Sequence, residues 1–247
     1  MKIPFHRPHI TNKEFESIKD SLLSGWLTMG PKTIEFEEAF KQHIGSDYAI
    51  SLNSATAALH LALNAIGVKQ GDEVIIPTNT FVATAEAVAY SGAIPVLCDI
   101  EPNNHNINVD LIQDLVTTKT KAIIPVHFGG NPCDMDEIKK NANHFNLKII
   151  EDAAHALPSS YKNKKIGTLS DAVCFSFYAT KTLTTGEGGM VTTNNSKIAE
   201  KVRTQRLHGI NSDTWKRSEQ DKDWYYEVID LGYKYNTTDI QSAIGLV

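Results

Sequence analysis

The feature that most constrains the fold is an alternation of short, continuously apolar runs with helical stretches. The apolar runs predict strands at 48–52, 73–77, 94–98, 121–126 and 147–151. Alanine-rich or amphipathic stretches between them predict helices at 56–66, 81–90 and 135–145. Continuous apolar strands that alternate with helices indicate an α/β fold, in which a mostly parallel sheet carries helices on both faces. In such sheets, ligands bind beyond the carboxyl ends of the strands.

The two ends of the chain do not follow this alternation of strands and helices. A capping box of Thr11 and Glu14 opens a helix that Gly25 ends. The other predicted elements are helices at 34–43, 196–207 and 239–247 and strands at 173–177 and 190–193. The polar residues 209–229 predict a long loop, and such loops are often functional. Because the chain stops inside an apolar helix, we expect that a C-terminal portion is missing.

Composition and charge argue against several functions. A formal net charge of −5 with scattered Lys and Arg disfavours a nucleic-acid surface. The first residues lack the apolar segment of a signal peptide, and no stretch approaches the roughly 18 apolar residues of a membrane span. Cys98, Cys133 and Cys174 are too dispersed for a disulfide framework or a zinc site. We therefore expect packed, reduced thiols in a cytoplasmic protein.

The first candidate site follows the strand at 48–52. Asn53, Ser54, Ala55 and Thr56 lie where a helix begins. Backbone N–H groups at a helix N-terminus can hold a phosphate, but Ser or Thr in this place also serves as a simple helix cap. The segment by itself therefore predicts either a phosphate cradle or an ordinary cap.

A second candidate site is Glu151-Asp152-Ala153-Ala154-His155, at the end of a very apolar strand. Asp152 would lie over the carboxyl edge of the sheet, where it could pair with a cation such as a protonated pyridine nitrogen. On a helical turn, His155 would face the same way as Asp152. Two alternatives stay open: an N-cap Asp beside a surface His, and a metal site completed by His127, although these ligands have no recognised spacing.

The third candidate site is the segment from Phe175 to Lys181, which precedes the glycine-rich turn 186–189. A Lys just past a strand can be partly desolvated, which favours the neutral amine that attacks a carbonyl group. An ordinary solvated Lys is the alternative. The segment from Gly232 to Gln241 suggests no chemistry by itself, because Thr238 or Asn236 could simply cap the last helix.

Several sequence motifs become informative when they are considered together. They are G-W-L-T-x-G-P, N-S-A-T-A-A-L-H-L-A-L, P-T-N-T-F-V-A-T, E-D-A-A-H-A, F-S-F-Y-A-T-K, G-E-G-G and G-Y-K-Y-N-T-T-D-I-Q. Together they resemble the DegT/DnrJ/EryC1/StrS family of sugar aminotransferases, from Gly25 to the end of the chain. The resemblance implies the type I aminotransferase fold, the cofactor pyridoxal 5′-phosphate (PLP), and a homodimer whose active sites lie at the subunit interface.

The resemblance also implies roles for individual residues. Lys181 matches the lysine that forms the Schiff base with PLP, and Asp152 matches the acid that pairs with the pyridinium nitrogen. His155 matches a residue near the phenolic oxygen of the cofactor, and Phe81 matches the aromatic side chain that stacks on its ring. Lys181 and Asp152 are therefore the predicted catalytic residues.

The phosphate contacts implied by the resemblance are Ala55, Thr56 and Ser176, with Asn236 reaching in from the other subunit. The family usually has Gly at the position of Ala55, and the extra methyl group would tighten the cradle slightly. The resemblance implies a large PLP-binding domain with the N-terminal segment, residues 1–230, and the start of a truncated C-terminal domain, residues 231–247.

The implied reaction is a ping-pong transfer of an amino group from an amino acid, expected to be L-glutamate, to a nucleotide-linked keto sugar. The segment from Arg206 to Gly209 and the following loop are most similar to the branch that acts at C4 of UDP-linked sugars for surface glycans. Three alternatives stay open: amination at C3 of a dTDP-linked sugar, PLP-dependent sugar dehydration, and a non-catalytic truncated relative. A Rossmann-type dehydrogenase is disfavoured because no G-x-G-x-x-G follows the first strand.

Overall fold

A seven-stranded mixed sheet forms the centre of the fold in the computed structural model, which describes residues 3–211 and 226–247. The strands in chain order are β1 Tyr48–Leu52, β2 Glu73–Pro77, β3 Ile94–Cys98, β4 Thr120–Ile123, β5 Lys148–Asp152, β6 Ser160–Tyr161, β7 Lys164–Lys165, β8 Ala172–Ser176 and β9 Gly189–Thr193. The central order is β1-β9-β8-β5-β4-β2-β3, and β6 and β7 form a separate hairpin. Strand β9 is antiparallel to both neighbours, and the other central pairs are parallel.

Helices cover both faces of this sheet. They are α1 Asn12–Ser24, α2 Pro31–Ile44, α3 Ala55–Ala65, α4 Val82–Tyr90, α5 Ile112–Leu115, α6 Met135–Phe145, α7 Ser196–Gln205 and α8 Asp239–Gly245. Consecutive residues of a strand point to opposite faces, and Ile149 and Ile150 of β5 accordingly belong to different buried clusters. Ile150 packs in the cluster that includes residues of α3, whereas Ile149 packs in the cluster that includes residues of α6. The predicted mostly parallel α/β sheet is confirmed.

Local differences from the predicted elements have clear causes. Strand β4 ends at Ile123 instead of residue 126, because Pro125 has no N–H group for a ladder hydrogen bond. The β6–β7 hairpin was not predicted, since its strands are polar and only two residues long. Its turn places Lys162 at φ 47° and Asn163 at φ 66°, the positive φ values of a type I′ turn.

The N-terminus of α2 is capped by a residue from the other end of the chain. Gly30 precedes this helix and has no side chain to cap it. The carboxylate of Asp239 instead accepts hydrogen bonds from the N–H groups of Gly30 at 2.8 Å and Thr33 at 3.0 Å. Helix α8 packs against α1 and α2 in this way, and the division of the chain at residue 230 stays a prediction.

The three cysteines are free and buried, as the sequence predicts. Burial raises the pKa of the Cys98 thiol to about 11, and it raises the pKa values of Cys133 and Cys174 as well. These thiols therefore stay protonated and act as packing groups. Within residues 3–211 and 226–247, no helix has the length and apolar character needed to cross a membrane.

Candidate functional site

The candidate site lies at the carboxyl edge of the parallel strands. Leu52 at the end of β1 and Ser176 at the end of β8 both pair with Gly189, the first residue of β9. A Cβ atom on Gly189 would come within 2.4 Å of the Ser54 carbonyl oxygen and 2.7 Å of the Ala55 nitrogen. Only glycine permits this approach, which brings Ser176 and the glycine-rich turn beside the start of α3.

The first turn of α3 has both a cap and free N–H groups. The hydroxyl of Ser54 accepts a hydrogen bond from the N–H of Ala57 at 3.1 Å. The N–H groups of Ala55 and Thr56 have no acceptor among the described residues. A helix leaves its first N–H groups without intrahelical partners, and such groups attract anions. The two interpretations of this segment are therefore compatible, because the cap leaves two donors for an anion.

Asp152 is a buried carboxylate at the end of β5. Its side chain accepts hydrogen bonds from the Thr84 hydroxyl at 2.9 Å and from the Ala154 N–H at 3.1 Å. The residue is only 6% exposed, and none of the described Lys, Arg or His side chains forms an ion pair with it. A carboxylate removed from water without a cation is costly, so this position favours the binding of a cationic group.

Lys181 lies in the turn that follows β8. Its backbone N–H donates to the Tyr178 carbonyl oxygen at 2.9 Å, and the residue is half-buried. Its ammonium group forms no hydrogen bond with the residues that the structure describes. Burial lowers the pKa of Lys181, and the negative charge of Asp152 raises it in part. The net effect increases the fraction of neutral amine at a given pH.

His155 lies within electrostatic range of both these residues. Strand β5 continues into a turn closed by Ala156 N–H and Ala153 C=O, not into the helical turn considered from the sequence. Partial burial and the Lys181 charge lower the pKa of His155, whereas the Asp152 charge raises it. The structure thus brings together the three ionisable residues that the sequence singled out.

Phe81 follows β2 at the same edge of the sheet and lies three positions before Thr84, whose hydroxyl contacts Asp152. It is the N-cap residue of α4 and is 77% exposed. An aromatic ring that remains this exposed beside buried polar groups is available to cover a ligand.

Asn236 lies beside the start of α3 in its own chain. The neighbouring Tyr235 carbonyl accepts a hydrogen bond from the Asn53 N–H at 2.8 Å. The side-chain oxygen of Asn236 is buried and has no hydrogen-bond partner among the described residues. Its contact with a phosphate of the other subunit stays a prediction.

His127 is unavailable for the metal site considered from the sequence. Its Nδ1 accepts a hydrogen bond from the Cys133 N–H at 3.1 Å, so the ring proton is on Nε2. That nitrogen donates to the Glu151 carboxylate at 2.8 Å. Glu151 and Asp152 are adjacent and therefore point to opposite faces of the sheet. With both ring nitrogens occupied on the face opposite Asp152, His127 does not complete a metal site.

The sequence prediction omitted one residue of the site, and one predicted part of the site lies mostly outside the described residues. Thr84, the hydroxyl donor to Asp152, was not among the predicted site residues. The available signal was a threonine on the buried side of the first turn of the helix that follows β2, at the edge of the sheet where ligands bind. The predicted functional loop 209–229 lies largely outside the described residues, which omit 212–225.

The fold and the site define a class, the proteins with the type I aminotransferase fold. The chain belongs to the DegT/DnrJ/EryC1/StrS aminotransferase family, whose sequence model matches residues 8–247. It is 56% identical over 244 residues to the uncharacterized protein MJ1066 of Methanocaldococcus jannaschii. It is 47% identical over 244 residues to the spore coat polysaccharide biosynthesis protein SpsC of Bacillus subtilis. Each match covers 99% of this chain and 63% of the relative, so the chain spans under two thirds of these proteins.

Solved structures confirm the fold. The putative sugar aminotransferase Spr1654 of Streptococcus pneumoniae, in its PMP form, superposes with a TM-score of 0.92 at 37% identity, covering 99% of this chain and 66% of that one. PseC of Helicobacter pylori, an aminotransferase involved in the biosynthesis of pseudoaminic acid, gives a TM-score of 0.90 at 34% identity. That match covers 100% of this chain and 64% of PseC.

Proposed function

We propose that this protein uses PLP to transfer an amino group from L-glutamate to a nucleotide-linked keto sugar. The observation that carries the proposal is the free amine of Lys181 within electrostatic range of Asp152, a buried carboxylate without a cation. The two groups are the amine and the acid that PLP chemistry requires. Membership of an aminotransferase family supports the same reaction.

The residues at the carboxyl edge fit the chemical parts of PLP. The free N–H groups of Ala55 and Thr56, together with the hydroxyl of Ser176, suit its phosphate. The unpaired carboxylate of Asp152 suits its protonated ring nitrogen. The exposed ring of Phe81 suits its aromatic face.

Each catalytic side chain then has a defined task. When bound, PLP supplies an electron sink and carries the amino group between the two substrates. Lys181 would hold the cofactor covalently through Nζ and, once substrate displaced it, would move the proton as general base and acid. Asp152 stabilises the positive charge on the ring nitrogen, and we place His155 beside the phenolic oxygen.

The proposed acceptor is a UDP-linked 4-keto sugar that serves surface-glycan biosynthesis. The names of SpsC and PseC, which refer to coat polysaccharide and pseudoaminic acid, support a sugar acceptor of this kind. Arg206, part of the segment that suggested this branch, is buried and donates to the Ser51 carbonyl at 2.9 Å and to Glu37. Arg206 therefore serves the packing of α2 on β1, and amination at C4 of a UDP-linked sugar stays a prediction from the sequence resemblance.

We also propose a homodimer in which Asn236 contacts the phosphate bound by the partner subunit. The side-chain NH2 group of Asn236 donates one hydrogen bond, to the Thr237 carbonyl at 2.9 Å, and within the described residues its second N–H is left for a phosphate oxygen. The free, buried cysteines fit the reducing conditions of the cytoplasm, which is the proposed location.

The reaction can be tested with the full-length protein, PLP, L-glutamate and a panel of UDP-, dTDP- and GDP-linked 4-keto sugars. We expect a new amino sugar by mass spectrometry, with a UDP-linked sugar as the best acceptor. Lys181→Ala should reduce turnover by at least about 10³-fold, since covalent and proton-transfer steps are both lost. Lys148→Ala, at the opposite edge of the sheet, is the control and should retain turnover. A dehydrated product, or normal amination by Lys181→Ala, would contradict the proposal.

A further inference from the structure

Helix α4 contributes a second group to the candidate site besides Phe81. Thr84, in the first turn of the helix, is completely buried. Its Oγ1 lies 2.9 Å from the Asp152 Oδ2 atom and 2.7 Å from the Thr80 Oγ1 atom. A Thr inside a helix commonly bonds back to the carbonyl of the preceding turn. Here the hydroxyl crosses from the helix to the end of β5 instead.

The direction of these hydrogen bonds follows from the number of protons. The Thr84 hydroxyl has one proton, and an ionised carboxylate can only accept. Thr84 therefore donates to Asp152, and Thr80 must donate to the Thr84 oxygen. Hydrogen bonds in such a chain polarise and strengthen one another, particularly where the surroundings exclude water.

The two donors to Asp152 reach different oxygen atoms. Thr84 donates to Oδ2, and the Ala154 N–H donates to Oδ1 at 3.1 Å. One donor on each oxygen fixes the plane of the carboxylate and stabilises its negative charge. Each oxygen still has lone pairs for a further donor, such as a protonated ring nitrogen.

We propose that Thr84, supported by Thr80, is a positioning residue that holds the Asp152 carboxylate in place and aimed at the protonated ring nitrogen of the cofactor. This inference rests on the proposed function. The donor to Asp152 lies in the first turn of α4, three positions after the exposed ring of Phe81.

The test measures the affinity of the PLP-free, full-length protein for PLP and for 1-deaza-PLP, which lacks the ring nitrogen. Thr84→Val keeps the shape of the side chain and removes the donor, and we expect about tenfold weaker PLP binding. Thr84→Ser keeps the hydroxyl and should bind PLP within about twofold of the wild type. All three proteins should bind 1-deaza-PLP equally, because that compound has no nitrogen to face Asp152.

Two further variants keep the proposal falsifiable. Thr80→Val removes the hydroxyl that donates to Thr84 and should weaken PLP binding by roughly two- to threefold. This variant tests the proposal even if Thr84→Val does not fold. Thr192→Val is the matched control, since the Thr192 hydroxyl is equally buried but donates to the Gly167 carbonyl at 2.8 Å. Unchanged PLP affinity in Thr80→Val and in any folded Thr84→Val would overturn the proposal. An equal loss for PLP and 1-deaza-PLP would also overturn it, whereas a wild-type protein that binds no PLP would contradict the proposed function itself.

Discussion

At the amino ends of the parallel strands, polar groups are paired with one another, whereas at the carboxyl ends several are left without partners. At the amino edge, Lys148 forms a 2.8 Å ion pair with Asp171, which also accepts from the Ile149 N–H at 3.0 Å. At the carboxyl edge, Lys181 has a free amine and Asp152 has no cation within the described residues. Both edges contain a Lys and an Asp, but only one edge leaves them available for chemistry.

The difference shows that a cavity alone does not identify the site in this fold. A surface cavity of about 510 Å³ lies at the amino edge, lined in part by Lys148, Asp171 and Asn195. In this cavity Asp171 already forms an ion pair with Lys148, and the side chain of Asn195 already caps helix α7. The carboxyl edge instead combines free helix N–H groups with a buried acid and a partly desolvated amine, the conditions under which active sites form.

In the comparison of the two edges, the largest expected effect comes from replacing Asp152 with an amide. Asp152→Asn should lower PLP affinity and turnover by roughly 10² to 4 × 10³-fold, because a buried cation would lose its partner at a cost of about 3–5 kcal/mol. The PLP-free protein should lose less than about 1 kcal/mol of unfolding free energy, since an unpaired buried charge is removed with the hydrogen bonds. Calorimetric PLP titration and urea denaturation measure these two quantities.

Asp171→Asn is the matched variant at the amino edge. We expect the reverse outcome: a loss of about 1 kcal/mol in unfolding free energy and unchanged PLP affinity. Equal effects of the two substitutions on PLP affinity would remove the distinction between the edges.

A smaller effect is expected from the glycine-rich turn. Gly189→Ala places a Cβ atom 2.4 Å from the Ser54 carbonyl oxygen, so the first turn of α3 must shift. We expect about tenfold weaker PLP binding, because overpacking of this kind costs roughly 1–3 kcal/mol. Gly186→Ala, in the same turn, has φ +81° and open space around it. It should cost about 1–2 kcal/mol of stability through backbone strain and leave PLP affinity unchanged.

The smallest effect concerns pH. The pKa of His155 in the folded protein is lowered from its ordinary value of 6.5, so the unfolded chain binds the proton more tightly. Stability should therefore fall as pH drops below about 6.5, by less than about 1 kcal/mol because the imidazole is only partly buried. His155→Gln should unfold at the same denaturant concentration as the wild type at pH 8 and be slightly more stable at pH 5.5. A wild type that gains stability relative to this variant on acidification would show the opposite linkage.

Much of the fold could be predicted because short local sequence patterns identify most of its strands. Tyr48–Leu52, Glu73–Pro77 and Ile94–Cys98 have the same bounds in the sequence prediction and in the structure, since each is an apolar run bounded by polar or turn residues. The β6–β7 hairpin has no such run. The cap that Asp239 provides for α2 joins residues more than 200 positions apart, and no local pattern encodes such a contact.

The candidate site also has a part that could be predicted from the sequence and a part that could not. Lys181, Asp152 and Phe81 follow strand ends, where the fold itself predicts ligand contacts. The hydrogen bond from Thr84 to Asp152 spans 68 positions and depends on how α4 lies against β5. A pattern of threonines in one helix does not specify which strand the helix will contact.

The most direct test of the difference between the edges is to identify the lysine to which PLP becomes covalently attached. The full-length protein would be incubated with PLP, reduced with borohydride and digested, and the labelled peptides would be mapped by mass spectrometry. We predict one labelled site at Lys181, with labelling abolished in Lys181→Ala and unaffected in Lys148→Ala. Stoichiometric labelling at Lys148 or Lys139 in the amino-edge cavity, with Lys181 unmodified, would contradict the assignment of the site to the carboxyl edge.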